Sequence, residues 1–285
     1  MPDYPRDFVA DLRSVKSWPS LEDSLWRAPY LVRLTFGHAY DLIRQFLPPA
    51  PAAILEVGSG TGFLSLEMAR GGHRITALDT DDEAIALATA TLHSDRRVND
   101  LVTYHRHDVA GWSAPPDSFD VVVVSRTLHH LADPSDVLAN IRRWLRPQGR
   151  LICLDFTYDR FDRRAGRWMA SIRCLLESIG AYARQELATA NPRDAIDQVV
   201  DSWHRDHAEH DLRTSAEMLT PLQAYFSQHH LTWHPYLYWE VLEDLRVADA
   251  SAEEKLASAV MQWEELWLSE REIPALLFLF VGAPA

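Results

Sequence analysis

The stretch Ile54-Leu55-Glu56-Val57-Gly58-Ser59-Gly60-Thr61-Gly62-Phe63-Leu64-Ser65 decides the fold. It opens on an apolar run, Ala52 to Val57, interrupted only by Glu56, which is the pattern of a buried parallel strand. Three glycines at alternate positions follow, and Phe63 to Ala69 then predicts a helix. A strand that turns sharply into a helix needs glycine where the turn requires positive φ and where a ligand must approach the backbone without meeting a Cβ. The first free amides of the new helix face the crevice at the strand's carboxyl end, so the stretch predicts a nucleotide-type site. Dinucleotide folds space their glycines G-x-G-x-x-G, with the last one serving helix–strand packing. Here the spacing is Gly58-x-Gly60-x-Gly62, which disfavours an NAD enzyme.

Outward from this loop, His73 to Asp79 predicts a second strand ending in an acid. A carboxylate about 20 residues past the glycines is placed to accept from two ribose hydroxyls. The competing role for Asp79, capping the next helix, is available to Asp81 instead. Leu101 to Arg106 predicts a third strand followed by His107-Asp108-Val109, and Phe119 to Ser125 a fourth followed by Arg126-Thr127-Leu128-His129-His130-Leu131. Asp133-Pro134 starts the next helix, Pro147-Gln148-Gly149 predicts a turn, and Arg150 to Phe156 a fifth strand. Strand and helix thus alternate from Ala52 to Phe156, which predicts a parallel sheet with right-handed crossovers.

The acidic-x-Gly-x-Gly-x-Gly loop, the acids closing strands two and three, and the Leu-His-His-Leu phrase after strand four together resemble the class I S-adenosylmethionine-dependent methyltransferases, specifically the small-molecule enzymes akin to those of quinone biosynthesis. The resemblance covers about residues 50 to 156. It implies a Rossmann-like, doubly wound, seven-stranded sheet of five parallel strands and an antiparallel terminal hairpin. It also implies S-adenosylmethionine as cofactor, with S-adenosylhomocysteine as product, held by Glu56, Gly58, Ser59, Gly60, Thr61, Gly62, Asp79, Thr80, Asp108, Val109 and Ser125. The strand-four terminus is not the Asn-Pro-Pro-Tyr type, and no paired-glutamate loop or magnesium-binding acid appears. What remains is O-, C- or N-methylation of a small organic molecule, and no required metal is expected.

The flanks are organised differently. Proline-punctuated residues 1 to 20 hold a short helical candidate, Asp7–Lys16, and Leu21 to Leu47 predicts helix with one apolar face, so 1–50 reads as a helical cap before the 51–156 core. Residues 157–230 read as helical throughout and carry several aromatics, which predicts an insertion that caps the site and favours an apolar or aromatic acceptor. Residues 231–285 complete the sheet, with a strand candidate at Thr232–Val241 whose Pro235 points to an edge or bulge, a helix at Ala252–Leu268 and a last strand at Pro274–Val281.

Methyl transfer from a sulfonium asks the protein mainly for in-line positioning. A base is needed only for a nucleophile of high pKa. The best-placed candidate is His129, four residues past Ser125, with a structural role or a hydrogen bond to the cofactor loop as the alternative. His130, its neighbour, is expected to point elsewhere. His204, His207 and His210 recur every third residue and fall within an arc of about 120° of one helix face. That face reads as solvated or lid-lining rather than as a metal site, because the spacing matches no H-E-x-x-H pattern. The pair His229-His230 reads as surface beside a turn.

Composition bounds the partners. With 28 basic against 41 acidic residues the net charge is −13, which argues against nucleic acid or an anionic membrane. The strongest basic patch, Arg160, Arg163, Arg164 and Arg167, reads as a solvated helix face. Two cysteines, no export signal and no 18-residue apolar run imply a cytoplasmic protein. Two further functional readings stand beside methyl transfer: an adenosyl-binding fold that catalyses a cyclisation, and a ligand-sensing or interaction module.

Overall fold

The computed structural model describes residues 24–187 and 191–285. The helix expected over Asp7–Lys16 lies outside them.

Seven strands form one sheet in the order β3-β2-β1-β4-β5-β7-β6. They are β1 Ala53–Val57, β2 Arg74–Asp79, β3 Val102–Arg106, β4 Phe119–Ser125, β5 Leu145–Phe156, β6 Phe226–His234 and β7 Leu277–Pro284. The first five pair in parallel, whereas β7 pairs antiparallel with both β5 and β6. The strand order reverses at β1, whose neighbours are β2 and β4, so the crevice of a doubly wound sheet opens at the carboxyl ends of β1 and β4.

The two-residue period of each strand splits its side chains between two cores. Ile54, Ile75, Val121, Val123, Ile152 and Leu154 join one apolar cluster. Leu55, Leu78, Val122, Val124, Leu151 and Cys153 join the other, on the opposite face. The four valines Val121 to Val124 are at most 1% exposed, and complete burial of each contributes about 1.5–3 kcal/mol. This two-sided burial is why β4 reads as an uninterrupted apolar run.

Helices cover both faces. Three short helical pieces lead: α1 Pro29–Val32, a π-helical turn Arg33–Gly37, and α2 His38–Arg44. The crossover helices are α3 Phe63–Arg70, α4 Asp82–Ser94 and α5 Pro134–Trp144. Asp81 caps α4 and Asp133 caps α5 through side-chain bonds to their first amides. Arg142 and Arg143 close α5 near its carbonyl end. The turn expected at Pro147–Gly149 appears as a bulge: pairing jumps from Phe119↔Leu145 to Val121↔Arg150.

Beyond β5 come α6 Arg163–Ser178, α7 Pro192–Glu209 and α8 Ser215–Tyr225, then α9 Leu237–Glu243 and α10 Ala250–Ser269. The strand expected at Thr232–Val241 is corrected. The edge strand begins six residues earlier, at Phe226, and Leu237–Glu243 is helix. Pro235 ends the strand, and the amides that follow it are claimed elsewhere. The backbone N–H groups of Tyr236, Leu237 and Tyr238 donate to the Glu264 carboxylate on α10 at 2.8, 2.9 and 2.7 Å. A helix begins where its first amides find acceptors, and here the acceptor comes from a distant segment.

Candidate functional site

The loop between β1 and α3 is held by both its backbone and a carboxylate. The amides of Gly58 and Ser59 donate to Leu78 O at 2.8 and 3.0 Å, which fixes the loop against the end of β2. Gly58, Gly60 and Gly62 all have positive φ, at 76°, 50° and 84°. Their surroundings differ. A Cβ on Gly58 would lie 1.9 Å from Thr127 Oγ1, and one on Gly62 would lie 2.4 Å from the Tyr104 hydroxyl, so both glycines pack against protein. A Cβ on Gly60 would meet nothing within 4 Å, because it would project into the open crevice. Gly62 therefore closes the turn into α3 and does not line the crevice, which corrects its expected place.

The crevice has a volume of about 1090 Å³ and is lined by Glu56, Gly58, Ser59, Gly60, Thr61, Asp79, Thr80, Asp108, Val109 and Ser125. The structure thus brings ten of the eleven expected binding residues together. Asp79 Oδ2 accepts from Gly60 N at 2.7 Å and Oδ1 from Asp81 N at 3.0 Å, which leaves lone pairs on both oxygens. Asp108 Oδ1 accepts from Ala110 N at 2.9 Å, and Val109 is buried beside it. Glu56 lies at the floor, 1% exposed, and accepts from Ser65 Oγ. Burial pushes its carboxyl up to about 8.

The loop after β4 rearranges the expected roles. His129 does not line the crevice. It is 4% exposed, its Nδ1 lies 2.6 Å from Asp155 Oδ1, and its ring packs edge-on against Phe156 at 4.6 Å. The expectation that His129 reaches a substrate is corrected. The residue on the crevice wall is His130, with its ring pushed below its usual pKa by desolvation first and the adjacent His129 second. Asp155 went unassigned in the sequence. It is fully buried, and its Oδ2 accepts from the amides of Thr127, Leu128 and His129 at 3.1, 2.7 and 3.4 Å. A carboxylate closing an otherwise apolar strand, Leu151-Ile152-Cys153-Leu154-Asp155-Phe156, is the signal that could have found it.

The insertion is not the roof. Among the described residues none between 157 and 225 lines the crevice. The cover comes from the amino-terminal helical pieces: Trp26 and Phe36 stack at 3.9 Å, and Phe36 meets Trp239 of α9 edge-on at 5.3 Å. The insertion instead buttresses the site from behind. Arg213 N donates to His129 O at 2.8 Å, and Trp203, His207 and Tyr158 form a stack beside Phe156. His207 is half-buried, with Nδ1 2.7 Å from Trp203 O, while His204 and His210 are exposed. His229 and His230 lie in β6 rather than beside a turn, and the His230 ring packs on Phe46 at 4.7 Å. The basic patch is neutralised: Arg163 pairs with Asp197, Arg164 with Asp162 and Arg167 with Glu272, while Arg160 sits over Trp233.

The lining chemistry separates candidate ligands. Four aspartates, Asp79, Asp108, Asp133 and Asp136, face the crevice with Glu56, against one lining Lys or Arg, Arg126, among the described residues. Such a field favours a cationic ligand over the pyrophosphate of a dinucleotide. The Ser59 hydroxyl is buried at the loop with no partner, so it has a hydrogen bond to give. An open path over Gly60, free lone pairs on Asp79 and an acidic surround fit an adenosyl sulfonium amino acid. The sheet order and crevice define a Rossmann-like methyltransferase fold. Residues 55–153 match the family described as a methyltransferase domain. Over residues 55–153 the chain therefore matches a methyltransferase domain, and the crevice fits S-adenosylmethionine as the cofactor.

The chain is 37% identical over 99 residues to the mitochondrial ubiquinone biosynthesis O-methyltransferase of Schizosaccharomyces pombe, an alignment covering 35% of this chain and 36% of that protein. It thus spans little more than a third of that relative's length. Among solved structures, a geranyl diphosphate methyltransferase in complex with S-adenosylmethionine aligns with a TM-score of 0.59 at 13% identity, covering 97% of this chain and 94% of that one. The cyclase SpnF aligns with a TM-score of 0.53 at 15% identity, covering 87% and 80%. These likenesses concern the fold.

Proposed function

We propose that the chain transfers a methyl group from S-adenosylmethionine to a small organic acceptor of apolar or aromatic character, at oxygen or carbon in preference to nitrogen. The observation that carries this reading is that one crevice is lined both by an acidic glycine loop and by aromatic rings, Trp26 and Phe36, with Trp239 nearby. When bound, the cofactor supplies an activated methyl group. The protein's own task is to orient the two partners in line and exclude water. In this reading Asp79 accepts from the ribose hydroxyls, Asp108 and Val109 meet the adenine edge, and the loop amides with Ser59 and Thr61 hold the amino-acid half. Thr80 and Ser125 line the same path. The Asp155–His129 pair acts as a positioning device for the post-β4 loop.

Among the described residues no helix is long and apolar enough to cross a membrane. The proposed setting is cytoplasmic, with no nucleic-acid partner, in keeping with the net charge of −13.

The test is calorimetric titration with S-adenosylhomocysteine, with NAD as control. Binding of the first and not the second is the expected result, and silence to S-adenosylhomocysteine overturns the reading. Asp79→Ala is expected to weaken that binding by about 3 kcal/mol, on the order of a hundredfold, because it removes a charged acceptor. An unchanged isotherm would remove Asp79 from the cofactor site. Gly60→Ala is expected to cost about 1–2 kcal/mol of folding stability, since φ is 50° there. Its larger effect is to place a methyl in the ligand's path, lowering affinity by about tenfold or more. Full affinity in a folded Gly60→Ala protein would show that the ligand does not cross this glycine.

A second reading, an adenosyl-binding fold that leaves the methyl in place, draws on the withdrawal of His129, the expected base, from the crevice. A product of unchanged mass distinguishes it from methyl transfer.

A further inference from the structure

Against Phe36 and Trp239 stands the crevice's single lining Lys or Arg among the described residues, Arg126. It is the first residue past β4, at the point where the strand order reverses, and it is a non-glycine residue with φ of 51°. Its backbone is pinned there, with N donating to Leu154 O at 2.8 Å. A side chain held in the left-handed region at a crevice mouth points to a positional demand rather than to a flexible loop.

The guanidinium is built into a cage. Its central carbon lies 4.7 Å from the Phe36 ring centroid and 4.4 Å from that of Trp239. Among the described residues it has no hydrogen bond or ion pair to a side chain or carbonyl. The rings attract its charge but offer no lone pair to its five N–H donors. Two acids are near enough to act on it, Asp155 and Glu240. Asp155 is already occupied by His129 and by the amides of Thr127, Leu128, His129 and Phe156. Burial raises the Glu240 carboxyl above its ordinary value, with the neighbouring Tyr236 hydroxyl opposing the rise. Burial likewise lowers the pKa of Arg126, yet an arginine keeps its charge in a protein.

Arg126 also stands between two spaces. With Trp26 and Phe36 it lines both the main crevice and a side recess of about 180 Å³ whose other walls include Tyr236, Trp239, Glu240 and Glu243. A desolvated, preorganised fork of donors beside an aromatic wall matches the planar or tetrahedral oxygens of an anion. We propose that Arg126 recognises an oxyanion, a carboxylate or a phosphate, carried by the methyl acceptor, so that the acceptor is an aromatic or apolar acid. This assignment rests on the methyltransferase reading for the word acceptor, though not for the anion site itself.

The probes are 4-hydroxybenzoate, phenyl phosphate and the neutral 4-hydroxybenzamide, each titrated into the protein with and without saturating S-adenosylhomocysteine. The expected result is that at least one acid binds about tenfold or more tighter than the amide. Arg126→Met should abolish that preference and Arg126→Lys retain part of it. The carboxylate and phosphate arms show which oxyanion the fork prefers. Equal behaviour of acids and amide, including no binding of any, overturns the assignment, as does a preference that survives in Arg126→Met. A thermal melt establishes that Arg126→Met is folded, and Arg126→Lys and Arg126→Gln carry the comparison if it is not. Acid preference without any S-adenosylhomocysteine binding overturns the methyltransferase reading alone. S-adenosylhomocysteine binding without acid preference overturns the Arg126 assignment alone.

Discussion

Asp155→Ala is expected to lower folding stability by about 3–5 kcal/mol, because each buried donor left unsatisfied costs about 1–3 kcal/mol. The carboxylate is completely buried and gathers four backbone amides and the His129 ring. Its removal leaves those donors without acceptors in a place water does not reach, and it frees the loop that carries Arg126 and His130. Asp155→Asn does not rescue, because both carboxylate oxygens accept and an amide nitrogen facing donors repels them. Denaturant titration reads the stability, and S-adenosylhomocysteine affinity reads the loop. A variant with wild-type midpoint and affinity would show that the Asp155–His129 pair positions nothing.

Glu264→Ala is expected to lower stability by about 3 kcal/mol, because three amides at the start of α9 lose a charged acceptor at once. The consequence extends to the site, since α9 carries Trp239 and thus one wall of the Arg126 cage. Glu264→Gln should recover part of the loss through its carbonyl oxygen. The carboxyl also carries a pH signature. Burial raises it from 4.5 to about 7, so the folded state holds the proton more tightly than the unfolded chain. Its contribution is then fully present below pH 4.5 and declines as pH rises through about 7. Glu264→Gln removes that decline, which denaturation midpoints across this window would register. An unchanged slope would place the group's titration outside it.

The parallel core was legible because its cause is local. A buried strand needs an apolar run, a crossover helix needs a cap, and a ligand loop needs glycine. Each of these falls within a few residues in Ala52–Phe156. Asp81 and Asp133 cap the helices as their positions imply, and Asp79 ends β2 facing the glycine loop. The Leu-His-His-Leu phrase was legible as a landmark but not as geometry. Which of two adjacent histidines faces the crevice depends on the twist of a short turn, and that turn is set by Asp155, 26 to 28 residues away in sequence.

By itself, then, the sequence determined the sheet, the crevice's position and many of the residues that line it, since these follow from short-range periodicity and turn chemistry. Only the tertiary structure decided the rest. It turned His129 inward to Asp155 and started α9 where Glu264 could accept its amides. It set α9, not the insertion, beside the expected amino-terminal cap, and left the Arg126 guanidinium between Phe36 and Trp239 without a hydrogen-bond partner among the described residues. The physical reason is common to the first two. A buried polar group must find its partner wherever the packed chain supplies one, and that distance is invisible to a pattern read a few residues at a time.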